Sequence, residues 1–328
     1  MVTLASPAAR RAACVVSAAV PLTSFGAQIV YHLLSGVGPD TVFLLWVSIP
    51  LAAATVLCLA TFRSSPFWSQ LAFAAMFLCL SALGFKYTGH IVHALGRDHG
   101  LQDALLASID RRLGFHWPTM LAWFDAHPFL ADLGRVAYNL YDVQVAAVPL
   151  CLVLAGRYYR LHVYFLAFSL ALIVVHLGVY FAPALAAYHF HGLDPSMHPH
   201  IALDYGNRHV PEVLGMRDGS IKDLARPVFG IVTFPSFHAI YAVLATWALW
   251  SLPRLRYPAL AINLVMIAAT PLHGSHYLTD VIGGVTTALF SILAAERILY
   301  AVLARVARTR RTGRVEGATE VLEGMALR

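Results

Sequence analysis

Two short segments near the end of the chain combine residue types that carry out acid–base and nucleophilic chemistry. The first is Phe234-Pro235-Ser236-Phe237-His238-Ala239, and the second runs from His273 to Asp280. In the second segment, His276 and Asp280 are four residues apart, so they lie on one helical face where a carboxylate can fix the tautomer of an imidazole. The spacing predicts a functional pair. A plain interfacial aspartate, bonded only to backbone groups, is the alternative.

The first segment has the features of a helix start. Proline is favoured at the first helical position, so the sequence predicts a helix that begins at Pro235 with Ser236 and His238 in its first turn. Free backbone N–H groups and the positive end of the helix dipole meet at such a start, which makes it a ready phosphate site. The alternative is that Ser236 only caps the helix and His238 faces lipid headgroups.

The elements that must position these segments are membrane helices. Hydrophobic residues make up 59% of the 328-residue chain and charged residues only 12%, about half the charged fraction of a soluble domain. The apolar residues fall in long runs that can cross a bilayer, which predicts an all-α polytopic membrane bundle of about eight helices. The predicted spans are Ala12–Leu34, Thr41–Phe62, Phe67–Leu95, Leu133–Ala155, Leu161–Ala187, Phe234–Leu252, Tyr257–Leu272 and Tyr277–Leu303.

The distribution of arginine predicts the orientation of these helices. With a cytoplasmic N-terminus, the short inner loops and the tail carry the arginines, and the short outer connections Ser35–Asp40 and His273–His276 carry no Lys or Arg. The inner arginines are Arg63, Arg157, Arg160, Arg254, Arg256 and the cluster from Arg305 to Arg314. This topology predicts an integral protein of the plasma (inner) membrane with both termini in the cytoplasm. It brings His238 and His276 to the same, extracytoplasmic face.

The chain is predicted to have three parts. Residues 1–66 form N-terminal helices, residues 67–304 form a catalytic bundle, and residues 305–328 form a basic cytoplasmic tail. The polar segment 188–233 is interpreted as a cap over the outer helix ends. A basic tail beside a membrane helix is typical of contact with anionic lipid headgroups rather than nucleic acid.

The other long outer segment, 96–132, contains an amphipathic pattern. Its apolar positions lie opposite Asp103 and Asp110, which predicts a helix lying flat in the membrane interface with its polar face towards water. The aromatic residues Trp117, Trp123 and Phe124 are interpreted as anchors at the headgroup level.

The two chemical segments together match a family pattern. Phe-Pro-Ser-Phe-His-Ala, followed by His-x-x-x-Asp-x-x-Gly-Gly, resembles the second and third signature motifs of the type 2 phosphatidic acid phosphatase superfamily of membrane lipid phosphatases and phosphotransferases. Phe237 between the serine and the histidine, and Thr270 where most members have arginine, resemble the branch that includes inositol phosphorylceramide synthases.

The resemblance implies a role for each matching residue. His276 attacks the phosphorus, and Asp280 orients His276. His238 protonates the leaving oxygen, and Ser236 binds phosphate. The implied reaction moves a phospho-headgroup between a membrane lipid and a polyol or lipid alcohol through a phosphohistidine, without a metal or another cofactor. A neutral imidazole is a competent nucleophile for such an in-line displacement. A lipid phosphate or diphosphate phosphatase, with water as the acceptor, is the alternative.

The first signature motif, Lys-x6-Arg-Pro, is not present. Arg226-Pro227 lies too close to Pro235, and Gly219 stands where the lysine belongs. Other cations on the outer side must then bind phosphate, and Lys86 is the strongest because it lies within an apolar run. The alternative for each of these residues is a side chain that only extends to the lipid headgroups and binds no substrate phosphate. The candidates are Lys86, Arg97, Arg135, Lys222 and Arg226.

The departures from the family pattern bear on the substrate. A phenyl group at Phe237 presents an apolar wall beside the histidines, and an arginine lost at Thr270 removes a bidentate anchor that a phosphate monoester needs more than a diester does. The sequence therefore favours a phosphodiester or diphosphate lipid with an alcohol acceptor.

A different class of function is suggested by paired histidines in the 188–233 segment. His189-x-His191 and His198-x-His200 have a spacing that can bind zinc or copper, as in a metal-binding membrane transporter. No cysteine lies nearby, so this is the remoter alternative.

Overall fold

The computed structural model describes residues 4, 6–35, 41–198, 201, 209–221 and 232–326, without the side chains of residues 84–87, 310–326 and a few positions near the gaps. Within these residues the chain is helical and has no β-strand. The helices are α1 (Pro7–Ser35), α2 (Thr41–Thr61), α3 (Pro66–Leu95), α4 (Asp103–Arg112), α5 (Trp117–Asp125), α6 (Pro128–Leu154), α7 (Tyr158–Phe181), α8 (Ala187–Phe190), α9 (Val210–Asp218), α10 (Phe237–Leu249), α11 (Arg256–His273) and α12 (Leu278–Ala326).

Six of the described helices are long and apolar enough to cross a membrane: α1, α2, α3, α6, α7 and the Leu278–Thr309 part of α12. This confirms the prediction of an all-α polytopic membrane protein. The predicted count of about eight is not confirmed. Helix α10 has only 13 residues, which rise about 20 Å against a hydrocarbon core of about 30 Å. Helix α11 has 18 residues but includes Arg256, Asn263 and His273, which make it too polar.

Helix α7 lies at the centre of the bundle and contacts α1, α3, α6, α10 and α12. Phe165 of α7 stacks on Phe77 of α3 with ring centroids 4.0 Å apart, and Tyr164 donates a hydrogen bond to the Tyr241 hydroxyl of α10 at 3.2 Å. Large apolar side chains such as Trp46 and Phe290 instead face outwards, with exposed fractions of 77% and 69%. An apolar exterior of this kind is what a lipid environment requires.

The last helix extends beyond its membrane-spanning part. Helix α12 continues without a break to Ala326, so the predicted basic tail begins as an extension of this helix. The domain boundaries at residues 66 and 304 stay predictions.

The segment 96–132 differs from the prediction in the direction of its polar face. Asp103 and Asp110 of α4 are buried, with exposed fractions of 7% and 3%, whereas Leu105 and Leu113 on the opposite face are more than half exposed. The interpretation of the aspartates as a water-facing surface is therefore wrong. Trp117 is also buried, with an exposed fraction of 2%, so it is not a headgroup anchor. The reason is chemical, because all three side chains hydrogen-bond to groups inside the protein.

Candidate active site

His276 and Asp280 meet at the start of α12. The Nδ1 atom of His276 lies 3.2 Å from the Oδ2 atom of Asp280, and the same oxygen accepts a hydrogen bond from the Tyr277 N–H at 2.8 Å. The Asp280 side chain is fully buried. Because a carboxylate accepts, His276 donates its Nδ1–H, which leaves the lone pair on Nε2. The four-residue spacing thus produces an oriented imidazole.

The residue before His276, Ser275, has an unusual backbone conformation. Ser275 has a φ angle of 54°, in the left-handed region, and is almost fully buried. A non-glycine residue rarely adopts this conformation, and such residues concentrate at functional sites. The second carboxylate oxygen of Asp280, Oδ1, is buried and has no hydrogen-bond partner among the described residues.

The helix that carries His238 begins two residues later than predicted. Helix α10 begins at Phe237, and Ser236 is its N-cap, with its side-chain oxygen accepting a hydrogen bond from the Ala239 N–H at 3.4 Å. The prediction that Pro235 occupies the first helical position is wrong, because Ser236 has an extended backbone and supplies the cap that serine favours. The hydroxyl still has a hydrogen to donate, so phosphate binding by Ser236 stays a prediction.

Two tyrosines of α6 hold the His238 ring. It stacks on Tyr138 with ring centroids 3.9 Å apart and an interplanar angle of 18°, and it lies 4.8 Å from the Tyr141 ring. Tyr138 also borders the other histidine: a Cβ atom added at Gly274 would lie 2.7 Å from the Tyr138 hydroxyl and 2.5 Å from Cδ2 of His276. The two histidines therefore lie beside the same tyrosine.

The starts of α10 and α12 are also joined directly. The Ser236 N–H donates a hydrogen bond to the Asp280 carbonyl oxygen at 3.0 Å. At Gly284, an added Cβ atom would lie 2.5 Å from the Ser236 carbonyl oxygen, which only glycine permits. This close contact fixes the position of one histidine segment relative to the other.

Both histidine segments lie within a region that matches a known family. A sequence model of the PAP2 superfamily matches residues 104–294, more than half of the chain and all of both histidine segments. The chain belongs to the PAP2 superfamily. The members of this superfamily of type 2 phosphatidic acid phosphatases are phosphatases and phosphotransferases, so the chain is an enzyme of the membrane lipid phosphatase and phosphotransferase type. The chain matches no curated protein and no solved structure.

In this PAP2 chain, Asp110 caps α12 from a different helix. Its carboxylate accepts hydrogen bonds from the backbone N–H groups of Leu278 and Thr279, both at 2.8 Å, and from the Thr279 hydroxyl at 2.6 Å. These N–H groups lack partners within their own helix because they belong to its first turn. Asp110 thus fixes the turn that carries Asp280.

Two further side chains from the same region hold the residues before α12. Asp103 accepts a hydrogen bond from the Tyr277 hydroxyl at 2.9 Å and from the Leu185 N–H at 3.0 Å. Trp117 donates its indole N–H to the His276 carbonyl oxygen at 2.9 Å. Asp103, Asp110 and Trp117 are here called the α4–α5 clamp. The sequence does not predict this clamp, although the seven-residue spacing of the two aspartates places them on one helical face.

The described part of the predicted cap lies against the His276 segment of the PAP2 site. The Tyr188 N–H donates to the Ser275 hydroxyl at 2.9 Å, and the Tyr188 hydroxyl donates to the Leu272 carbonyl oxygen. His209 is hydrogen-bonded through Nε2 to the Leu185 carbonyl oxygen at 2.6 Å. Burial lowers the pKa of His209, and the nearby His276 lowers it further.

The predicted phosphate-binding cations are mostly beyond what the structure describes. Arg135 is exposed on α6, and its guanidinium forms an ion pair with Asp132 at 2.7 Å. Lys86 lies in α3, but its side chain is not described, and Lys222 and Arg226 lie outside the described residues. Their roles stay predictions.

The histidines of the metal-binding alternative do not come together in the described part of the chain. There, no group of three or more His, Cys, Asp or Glu side chains is arranged to hold a metal ion. His191 stacks on Trp117 with centroids 6.2 Å apart, and His198 lies 3.8 Å from the Asp125 carboxylate. His200 lies outside the described residues. The geometry around these histidines gives the transporter alternative no support.

Proposed function

We propose that this PAP2 enzyme transfers a phospho-headgroup between a membrane lipid and an alcohol through a phosphohistidine on His276, in the manner of inositol phosphorylceramide synthases. The observation that carries the proposal is the 3.2 Å contact between His276 Nδ1 and the buried Asp280 carboxylate. This contact leaves Nε2 of His276 with a lone pair of fixed direction, next to His238.

In the first half-reaction, the Nε2 lone pair of His276 forms a bond to phosphorus while the bond from phosphorus to the leaving lipid oxygen breaks. His238, protonated, gives its proton to that oxygen. Asp280 accepts the hydrogen bond from Nδ1 and stabilises the positive charge that develops on the His276 ring.

In the second half-reaction, His238 is neutral and accepts the proton of the incoming alcohol. The alcohol oxygen attacks the phosphorus, the phosphorus–nitrogen bond breaks, and neutral His276 returns with a protonated His238. With water as the acceptor, the same steps complete a phosphatase reaction. The two activities therefore differ only in which hydroxyl group reaches the phosphohistidine.

Two contacts support an alcohol acceptor and a diester or diphosphate substrate. Thr270 is fully buried and donates its hydroxyl to the Met266 carbonyl oxygen at 2.7 Å, so no guanidinium occupies that position near Gly274. The apolar wall beside His238 comes from Tyr138 and Tyr141.

The wall does not come from Phe237 in the way the sequence suggested. Phe237 is 5% exposed and packs into the core, where its ring lies 5.6 Å from Phe168 and 5.9 Å from Tyr141. Successive residues of a helix point in different directions. Because His238 faces the tyrosines, the Phe237 side chain points away from His238 and into the core. Phe237 supports the wall from behind, through Tyr141.

The proposal extends to the membrane setting. The lipid substrate enters from the bilayer, the basic C-terminal extension contacts anionic headgroups, and the active site lies on the extracytoplasmic side of the plasma (inner) membrane. The arginine distribution supports this orientation. An impermeant thiol reagent should label a cysteine introduced at exposed Ser196 from outside intact cells, and labelling only after lysis would overturn the orientation.

The test of the nucleophile is phosphoenzyme trapping. Purified protein is mixed with lipids that carry radioactive phosphate and is quenched in alkali, which preserves phosphohistidine. The unmodified enzyme should be labelled, His276→Ala should not, and the exposed His127→Ala should be labelled fully. Labelling of His276→Ala at the normal level would overturn the assignment.

The test of the acceptor uses the same preparations with a panel of lipid phosphates, diphosphates and phosphodiesters. Each lipid is incubated with and without polyol or lipid-alcohol acceptors, and mass spectrometry measures both free phosphate and new lipids. New headgroup-bearing lipids should exceed free phosphate. Faster release of phosphate from phosphatidic acid than transfer to any acceptor would establish the phosphatase alternative.

A further inference from the structure

A cavity lies at the end of the bundle opposite the two histidines. The start of α1, the connection between α2 and α3, and the part of α12 around Val302 form its wall. From Asp280 to Val302, α12 rises about 33 Å, which is close to the thickness of the hydrocarbon core of a membrane. The cavity and the catalytic residues therefore lie at opposite ends of the membrane-spanning bundle.

The lining of this cavity is apolar except for two arginines. Its volume is about 620 Å³, within the range of small-molecule sites. The wall follows α1 from Pro7 to Val16, which is about 14 Å along the helix. Arg11 and Arg63 line the same cavity, and both residues are exposed. The cavity therefore suits a molecule that combines an anionic group with an apolar chain.

A buried arginine holds these two exposed arginines at one cavity. Arg10 is only 4% exposed, and its guanidinium donates a hydrogen bond to the Phe62 carbonyl oxygen at 3.3 Å. Its Cζ atom also lies 5.9 Å from the centre of the Phe62 ring. These contacts join the start of α1 to the α2–α3 connection. Because Arg11 and Arg63 are the next residues after this joined pair, both lie beside the cavity.

The positive charge of the two arginines is not neutralised by the protein around them. Among the described residues, neither Arg11 nor Arg63 forms an ion pair. Residues 1–5 contain no Asp or Glu, and the first acidic residue of the α12 extension, Glu316, comes about 15 Å after Val306 along the helix. Two like charges at one cavity repel each other, so an anion bound between them lowers the electrostatic energy.

From these observations we propose that the cavity between α1, the α2–α3 connection and α12 binds one anionic membrane phospholipid. Arg11 and Arg63 bind the phosphate group, because the planar guanidinium matches the geometry of phosphate oxygens. The apolar wall around Val15 and Val302 holds the start of an acyl chain.

The predicted topology agrees with this ligand. The arginine distribution predicts that this end of the bundle faces the cytoplasm, where anionic lipids attract basic cavities between membrane helices. The site holds one lipid at a defined place, unlike the general contact of the C-terminal extension with headgroups. It does not depend on the phosphotransferase reaction proposed above, because this lipid is bound without being chemically changed.

The test compares phosphatidylglycerol and phosphatidylcholine probes that carry the same diazirine-labelled acyl chain, in nanodiscs of unlabelled phosphatidylcholine. Mass spectrometry identifies the cross-linked peptides of α1 and α12. Each arginine should contribute about fivefold, so phosphatidylglycerol should label these peptides about 25-fold more. The preference should shrink as salt is raised from about 50 mM to about 500 mM. It should disappear in Arg11→Gln/Arg63→Gln. If this variant loses its thermal transition, Arg63→Gln alone should lower the preference about fivefold.

Three further variants make the result specific. Arg157→Gln/Arg254→Gln removes the same charge from two exposed arginines outside the lining, so the preference should stay. Val15→Trp puts an indole ring at a lining position that is 63% exposed, so labelling by both probes should fall. His276→Ala should be labelled like the unmodified protein, which separates this site from the catalytic proposal.

Each contrary result overturns the proposal. Equal labelling by the two probes would mean that the cavity does not select an anionic lipid. An equal loss of preference in Arg157→Gln/Arg254→Gln would mean that only the overall charge of this surface matters. A preference that persists in Arg11→Gln/Arg63→Gln would place the phosphate elsewhere, for example on the C-terminal extension. Labelling that never reaches the lining of α1 or α12 would mean that no lipid enters the cavity.

Discussion

Asp110 should control catalysis although it touches neither histidine. Replacing it with alanine leaves the N–H groups of Leu278 and Thr279 and the Thr279 hydroxyl without their acceptor, in a place where Asp110 itself is only 3% exposed. Hydrogen bonds to a charged group contribute about 1.5–3 kcal/mol each and are not additive. We therefore expect Asp110→Ala to lower the free energy of unfolding by about 3 kcal/mol.

The effect on rate follows from the position of Asp280 in the turn that Asp110 holds. A misplacement of about 1 Å costs about 100-fold in rate, so kcat of Asp110→Ala should fall by about two orders of magnitude. The KM should change little, because Asp110 does not contact the substrate. Asp110→Asn keeps one acceptor oxygen but turns an NH2 group towards backbone donors, and its kcat should fall about tenfold.

The assay is steady-state turnover, which gives kcat and KM, measured together with thermal unfolding. Thr279→Val removes only the hydroxyl donor, so its effect should be small in the Asp110→Ala background and larger in the unmodified protein. Asp218→Asn is the matched control, because this exposed aspartate also accepts a backbone hydrogen bond, from Ser220 at 2.8 Å. A kcat of Asp110→Ala within twofold of normal, or a loss explained entirely by unfolded protein, would refute the positioning role.

Two further predictions concern the join between α10 and α12 and the cap. Gly284→Ala places a Cβ atom 2.5 Å from the Ser236 carbonyl oxygen, so it should cost about 1–3 kcal/mol of stability and most of the activity. Gly26→Ala is the control. Its added Cβ meets nothing within 4 Å, so thermal unfolding and turnover should not change. The pKa of His209 is lowered in the folded protein from its ordinary value of 6.5. Below pH 6.5 the unfolded chain therefore binds a proton that the folded chain does not. The free energy of unfolding should thus fall as the pH falls from about 7.5 to about 5.5. His209→Gln should reduce that fall in the unfolding temperature, and an identical pH dependence in both proteins would contradict the assignment.

The meeting of His238 and His276 could be predicted because independent signals agreed on it. Hydropathy placed both segments at helix ends, and the arginines of the inner loops placed those ends on one face. Neither signal depends on the identity of the histidines. The structure adds what the spacing alone does not contain, namely that Tyr138 lies between the two segments and contacts both.

The α4–α5 clamp could not be predicted in the same way. Aspartates at one face of an amphipathic helix have the same pattern whether they face water or buried donors. The partners of Asp110 include backbone N–H groups, which every residue except proline has and which leave no mark in a sequence. The burial of Trp117 could not be predicted for a related reason, because its partner is the backbone carbonyl oxygen of His276.

The clamp also bears on where phosphate binds. The starts of α10 and α12 meet at the site, and each is the positive end of a helix dipole, which attracts an anion. Asp110 already occupies the start of α12 with its carboxylate, whereas the start of α10 is capped only by the neutral hydroxyl of Ser236. A negatively charged phosphate is repelled by the first and attracted by the second. We therefore expect the phosphate at the start of α10, beside His238, with His276 approaching from the α12 side as an in-line displacement requires.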